Sequence, residues 1–209
     1  MEKIKFKTYH KKILSDKLTP VSIYLKLRDK FANSLLLESS DYDVNNKNFS
    51  YICCEPIASI SVRNKEITYT YPGKKKVITK FKKNDSVPLL IEKFSKKFDY
   101  NHKKYSFITN GLFGYISHEA VSHFEDLDLD KNKDDLEIPE LYYAVYKYII
   151  SVSLFNHEAH IFCHSTNNKN DIEVIDKLLK KDVPTNYNFC KKGEKNSNFT
   201  DKEFTNLIK

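Results

Sequence analysis

Two alternating stretches, Ala58 to Arg63 and Ile67 to Tyr71, flank a two-residue turn at Asn64-Lys65. Pro72-Gly73 then turns the chain again, into Val77-Ile78. Period-two segments joined by short polar turns have one simple arrangement, an antiparallel meander. The same reading places strands at Ile4 to Thr8, at Leu35 to Leu37, and at Phe49 to Cys54, the last closed by Pro56. It adds Gly111 to Tyr115, Leu141 to Phe155 after Pro139, and His160 to Ser165 after a turn at Asn156 to Ala159. Helical spacing falls between these strands. Thr19-Pro20 gives an N-cap and a first-turn proline, ahead of an apolar face at Ile23, Tyr24, Leu27 and Phe31. Val87, Leu90, Ile91, Phe94 and Phe98 form a second helical face, with Asp85 or Ser86 as cap. Ser117 opens a short helix to Glu125, and Ile172, Ile175, Leu178 and Leu179 define another. Adjacent antiparallel strands with inserted helices make the expected class α+β, with helices packed outside antiparallel sheets.

With 209 residues, 40% of them hydrophobic and 13% aromatic, the chain has material for a sizeable core. Met1-Glu2-Lys3 leads into Ile4-Lys5-Phe6-Lys7 without the apolar core of a signal peptide. No apolar run approaches the roughly 20 residues of a membrane span. The expectation is a soluble, cytoplasmic protein with no membrane partner. A formal charge of +7 suggests nucleic acid, but Arg28 and Arg63 are the only arginines. Arginine is the preferred bidentate reader of bases and phosphates, so no nucleic-acid partner is expected. Lys74, Lys75 and Lys76 beside Pro72-Gly73 read as a solvated turn. Cys53, Cys54, Cys163 and Cys190 show no metal-binding spacing. Adjacent cysteines in a strand point to opposite faces, so Cys53 and Cys54 read as reduced and buried.

Several constellations imitate chemistry. His118-Glu119-Ala120-Val121-Ser122-His123 spaces its imidazoles five apart, one too many to share a helix face as a zinc protease requires. In the strand after the 156–159 turn, His160 and His164 share a face and Cys163 takes the other, which spoils a zinc set. Asp126, Asp128, Asp130 and Glu137 match positions of a calcium loop, but Lys131 replaces its turn glycine and Pro139 blocks the exit helix. A solvated acidic loop accounts for them. No catalytic set and no metal site is assigned.

One segment stands apart. Leu35-Leu36-Leu37 drives into an apolar interior, then gives way to Glu38, Ser39, Ser40 and Asp41. Glu38 and Ser39 are expected at a strand end, close to the core and poor in water. A carboxylate there meets a protein cation, backbone donors or a ligand's ammonium, or else stands solvated at the strand terminus. Residues 182–198 are polar and aperiodic and read as a linker. Beyond them Thr200-Asp201-Lys202-Glu203 is a capping box, and Phe199 is placed to staple Phe204. Phe204, Leu207 and Ile208 begin an apolar face before Lys209 ends the sequence.

Taken in order, Thr19-Pro20-Val21-Ser22-Ile23-Tyr24-Leu25-Lys26-Leu27, Leu36-Leu37-Glu38-Ser39, Phe49-Ser50-Tyr51-Ile52 and Gly111-Leu112-Phe113-Gly114-Tyr115 resemble the N-terminal region of anthranilate synthase component I. The resemblance implies an N-terminal strand and lead-in over 1–18, that enzyme's regulatory domain over 19–165, a helix and polar linker over 166–198, and the start of a truncated chorismate-binding domain over 199–209. The fold it implies is an incomplete half of a larger two-sheet structure. The activity it implies is formation of anthranilate from chorismate, with Mg²⁺ and with ammonia from a glutamine amidotransferase partner, under feedback inhibition by tryptophan. Its catalytic and metal-binding residues lie in a C-terminal region that this sequence lacks, so inactivity of the chain alone is implied. The L-L-E-S element, which lines the tryptophan pocket in that family, maps onto Leu37, Glu38 and Ser39. Aminodeoxychorismate synthase component I is a close rival, and a stand-alone amino-acid-binding module or a functionless remnant are the other readings.

Overall fold

The computed structural model describes residues 3–38, 48–82, 86–101, 105–125, 137–182, 190–194 and 196–208. Among these residues, nine strands and four α-helices follow one another as β1 (Ile4–Leu14), α1 (Pro20–Arg28), β2 (Leu35–Leu37), β3 (Phe49–Arg63), β4 (Glu66–Tyr71), β5 (Lys75–Lys80), α2 (Val87–Ser95), β6 (Phe98–Asn101), β7 (Phe113–Ile116), β8 (Leu141–Ser153), β9 (Glu158–Ser165), α3 (Ile172–Leu179) and α4 (Asp201–Ile208). The strands form a sheet ordered β5-β4-β3-β8-β9-β1-β6, with β2 added to β3 and β7 to β8. Among the described residues every pairing is antiparallel except β1 with β6. The class is α+β with a mostly antiparallel sheet, as the alternating segments imply.

Two long strands organise it. β3 and β8 pair from Phe49↔Ser153 to Val62↔Leu141. On its outer side β3 carries β2 along its first half and β4 along its second. β8 carries β9 along its second half and β7 along its first. The sheet is thus two fans of strands that share one central pair.

Pro56 does not close the strand, as its chemistry alone suggests. β3 runs through it to Arg63, with the ladder shifting register between Pro56 and Ala58. Pro56 sits between the last residue paired to β2, Cys53, and the first paired to β4, Ser59. A missing N–H is tolerated at such a bulge, where no outer strand needs it. The meander itself is as expected: Asn64 and Lys65 both take left-handed φ, of 49° and 62°, as a tight hairpin turn requires.

Helix α1 starts where the sequence places it, with the Ser22 amide donating to Thr19 Oγ1 at 3.1 Å. Its Ile23 and Leu27 pack with Ile172, Ile175 and Leu179 of α3 over Ile52, Ile150, Ile161 and Cys163 of the sheet. α3 is moored by its buried Asp176, whose carboxylate meets Lys11 at 3.2 Å and Lys180 at 2.6 Å. Lys180, then Lys11, hold that carboxyl below its usual range. A second cluster sets Val87 and Phe94 of α2 over Phe6, Ile60, Val62 and Val145. Phe98 belongs to β6 rather than to the helical face its spacing suggested. A third cluster, Cys53, Phe113, Ala144, Tyr146, Ile149 and Phe162, has no helix residue among its members. Cys53 and its neighbour Cys54 fall in the third and first clusters, so the pair does straddle the sheet.

Gly114 has a steric role in β7. A Cβ there would lie 1.8 Å from the Tyr142 carbonyl oxygen and 2.8 Å from Tyr143 Cα. Only glycine lets β7 approach β8 this closely. Among the described residues, no helix is long and apolar enough to cross a membrane.

Candidate functional site

Leu35 and Leu37, two apart on β2, point to the same side, and Leu35 packs into the helix-free third cluster. Leu37 lies opposite Tyr51 in the β2–β3 register and is 36% exposed. The Tyr51 hydroxyl accepts from the Ile108 amide at 3.3 Å, which fixes the loop before β7 against β3. Burial raises the Tyr51 hydroxyl above its ordinary pKa, while that amide opposes the shift.

From there an aromatic floor extends across the sheet. Phe49 stacks on Phe107 with centroids 4.6 Å apart, and Phe107 meets His160 at 4.8 Å. His160 stacks on His10 at 5.2 Å, and His10 lies 4.8 Å from Phe162. The imidazoles are joined by a 3.0 Å hydrogen bond from His10 Nε2 to His160 Nδ1 or the reverse, and the Tyr105 hydroxyl lies 3.2 Å from His10 Nδ1. Burial lowers both imidazoles from their ordinary value. Nearby, buried His164 is held by the Thr109 carbonyl at its Nε2 and the Thr8 hydroxyl at its Nδ1, each at 2.9 Å. A carbonyl only accepts, so Nε2 carries the proton.

Glu38 follows the end of β2 and is exposed, not in the water-poor position expected of it. The cause is that β2 has three residues and, among the described residues, pairs with β3 alone. Its pairing stops at Leu37↔Tyr51, so Glu38 has no ladder partner among the described residues. Ser39 lies outside the described residues, as do Asp85, the acidic loop residues Asp126, Asp128, Asp130 and Lys131, and much of the polar linker. Chemically, the described part of the region offers aromatic rings beside Leu37 and an exposed carboxylate, Glu38, directly after it in the chain. That combination suits an aromatic ring bearing an ammonium group.

The imitations of chemistry resolve into structure. Residues 118–123 form a 3₁₀ turn in which His123 Nε2 lies 2.5 Å from Glu140 Oε2. Glu137 pairs with Arg63 at 3.5 Å. His160 and His164 share a face, while Cys163 packs among the residues under α1 and α3. Burial raises Cys163, lifts Cys54 to about 11 and pushes Cys53 well up, which keeps these thiols protonated near neutrality. Among the described residues no three or more of His, Cys, Asp and Glu gather as a metal site.

The aromatic floor was not legible from the sequence. His10 lies beyond the strand end expected at Thr8, and its meeting with His160 is made by β1 pairing with β9, 150 residues away. A strand continued past Thr8 through His10 and Lys12 was the available signal.

No family model matches this chain. Its sequence is similar to anthranilate synthase component 1 of Aquifex aeolicus, 27% identical over an alignment of 212 residues that covers 94% of this chain and 42% of that protein. It is similar to anthranilate synthase component 1 of Lactococcus lactis, 26% identical over 71% of this chain and 30% of that protein. The protein of the same name from Methanothermobacter thermautotrophicus is 23% identical over 80% of this chain and 33% of its own length. Among solved structures, anthranilate synthase component I from Streptococcus pneumoniae TIGR4 matches with a TM-score of 0.44 and 18% identity, over 80% of this chain and 34% of that one. The likeness carried by the ordered motifs therefore extends along most of the chain, which is similar in sequence to anthranilate synthase component 1 while spanning less than half the length of those relatives.

Proposed function

We propose that this chain is the regulatory, tryptophan-binding N-terminal part of an anthranilate synthase component I. In that enzyme, anthranilate is made from chorismate with ammonia from a glutamine amidotransferase. The observation that carries the reading is the sequence similarity over 94% of this chain to a relative of which it covers 42%. All three curated relatives reported above carry the anthranilate synthase name, which favours this branch over aminodeoxychorismate synthesis.

Leu37, Glu38 and Ser39 form one side of the tryptophan pocket in this reading. Leu37 and the adjoining rings of Tyr51, Phe49 and Phe107 receive the indole, Glu38 accepts from the ammonium, and Ser39 lends a hydroxyl at the lip. Leu37 and Glu38 are both exposed, so the reading needs a second wall to take them out of water. That wall, the Mg²⁺ ligands and the reacting residues belong to a chorismate-binding region, beginning at 199–209. Helix α4 supports this: none of its residues is buried, and Phe204, Leu207 and Ile208 are among the most exposed apolar side chains. A helix of eight residues draws its stability from packing, so such a face calls for a covering surface.

The test mixes this chain with a separately expressed C-terminal region of anthranilate synthase component I and its amidotransferase. Tryptophan-sensitive anthranilate formation is expected, and Ser39→Phe is expected to raise the tryptophan needed for inhibition by about tenfold or more through overpacking. Failure of the unmodified chain to restore tryptophan-sensitive synthesis overturns the proposal.

A further inference from the structure

The C-terminal half of α2 and the β4–β5 hairpin border a cleft of about 770 Å³. That volume lies within the range of sites for small ligands. Its wall is aromatic. Tyr69 and Tyr71 are two apart on β4, and their rings lie within 13° of parallel with centroids 6.3 Å apart. Phe94 of α2 closes the inner edge, 5.9 Å from Tyr69 and 6.0 Å from Tyr71.

Its rim is basic. Lys3, Lys75, Lys93, Lys96 and Lys97 all line the cleft, and among the described residues no carboxylate lines it. Lys96 is tied to Glu92 across one helical turn. Lys97 is the positioned one: its ammonium donates to the Tyr71 hydroxyl and stands over both rings, 4.7 Å from the Tyr71 centroid and 5.7 Å from Tyr69. Lysines around the rim of one apolar cavity make it electropositive, and an entering anion is attracted to it. The two surfaces then select for two parts of one molecule. The parallel rings favour a flat apolar group by stacking, and the lysines favour a carboxylate or phosphate attached to it.

We propose that this cleft binds a small anion built on a flat ring, with the ring against Tyr69 and Tyr71 and the charged group held by Lys97 and its neighbours. The site is separate from the Leu37 region and independent of the function proposed above. Carboxylate and phosphate share the chemistry that recognises them, so the experiment carries an arm for each.

The full chain is titrated calorimetrically with 4-hydroxybenzoate and, separately, with adenosine 5′-monophosphate. Their neutral counterparts, 4-hydroxybenzyl alcohol and adenosine, serve as references. At least one anion is expected to bind about tenfold or more tightly than its counterpart, and Lys97→Gln is expected to remove about tenfold of that affinity. The advantage is expected to shrink as salt rises from about 50 to about 300 mM, because the rim is open to screening. If Lys97→Gln lowers the melting temperature, the exposed Lys93→Gln carries the same test without touching the Tyr71 hydrogen bond. Anions that bind no more tightly than their neutral counterparts overturn the proposal. So does affinity unchanged in both lysine variants, or binding confined to an acidic peptide offered in the same assay.

Discussion

His10 and His160 lie ring on ring at the centre of the aromatic floor, and burial is the main reason both imidazoles titrate below their ordinary range. Lys12 pushes each the same way, and the facing ring of His160 adds to the effect on His10, while Glu158 opposes it at His160. An imidazole whose folded pKa is depressed binds its proton more readily in the unfolded chain. Its contribution to stability is therefore full above the ordinary histidine range and is lost as pH falls through that range toward the folded value. The melting temperature is expected to drop between about pH 7.5 and about pH 5.5, and His10→Phe is expected to remove part of that drop. Thermal melts followed by circular dichroism check it; an unchanged pH difference in the variant contradicts the assignment. Asp171 and Asp176, held low chiefly by Lys147 and Lys180, act in a separate window. Their contribution is present above the ordinary aspartate range, and it fades only as pH falls through and below about 4.

Among the elements, β7 is the one most dependent on a single residue type, since a methyl at position 114 runs into the backbone of β8. Gly114→Ala is expected to cost about 1–3 kcal/mol through overpacking, read as a lower urea midpoint with little change in slope. The helices were legible because their signals are local: Thr19-Pro20 before α1, and the Thr200–Glu203 box, in which the Thr200 amide donates to Glu203 at 2.8 Å and the Glu203 amide to Thr200 Oγ1 at 3.3 Å. The meander was legible for the same reason, since its turns are two or three residues long. What local pattern misjudged were lengths set from outside each segment. β1 continues to Leu14 because β9 pairs with it from Lys7 to that residue, and β3 crosses Pro56 because β8 does not end there. Phe98 fits helical spacing from Phe94 but is claimed by β6, whose partner β1 lies more than 90 residues earlier. The candidate site divides likewise: the Leu35–Leu37 strand is plain in the sequence, while its exposed end depends on neighbours that spacing does not name.

At the scale of the whole molecule, three apolar clusters hang on one sheet, and β3 contributes to all of them through Ile52, Cys53 and Ile60. β8 does the same through Ile150, Ile149 and Val145. Helix and sheet cores that share strands cannot loosen one at a time without exposing another's apolar surface. In native-state hydrogen exchange, the amides joining β3 to β8 are expected to be the slowest, and those of the wholly exposed edge strand β5 and of α4 among the fastest. Early exchange along the β3–β8 ladder while β5 stays protected contradicts this picture. The bulge after Pro56 gives the arrangement one more property. It marks the point where the strand leaves the company of β2 and takes up that of β4, so Tyr51, opposite Leu37, and Ile60, opposite Tyr69 of the lysine-ringed cleft, lie on either side of it. A residue gained or lost at that bulge would turn every side chain on one of the two stretches of β3 to the opposite face.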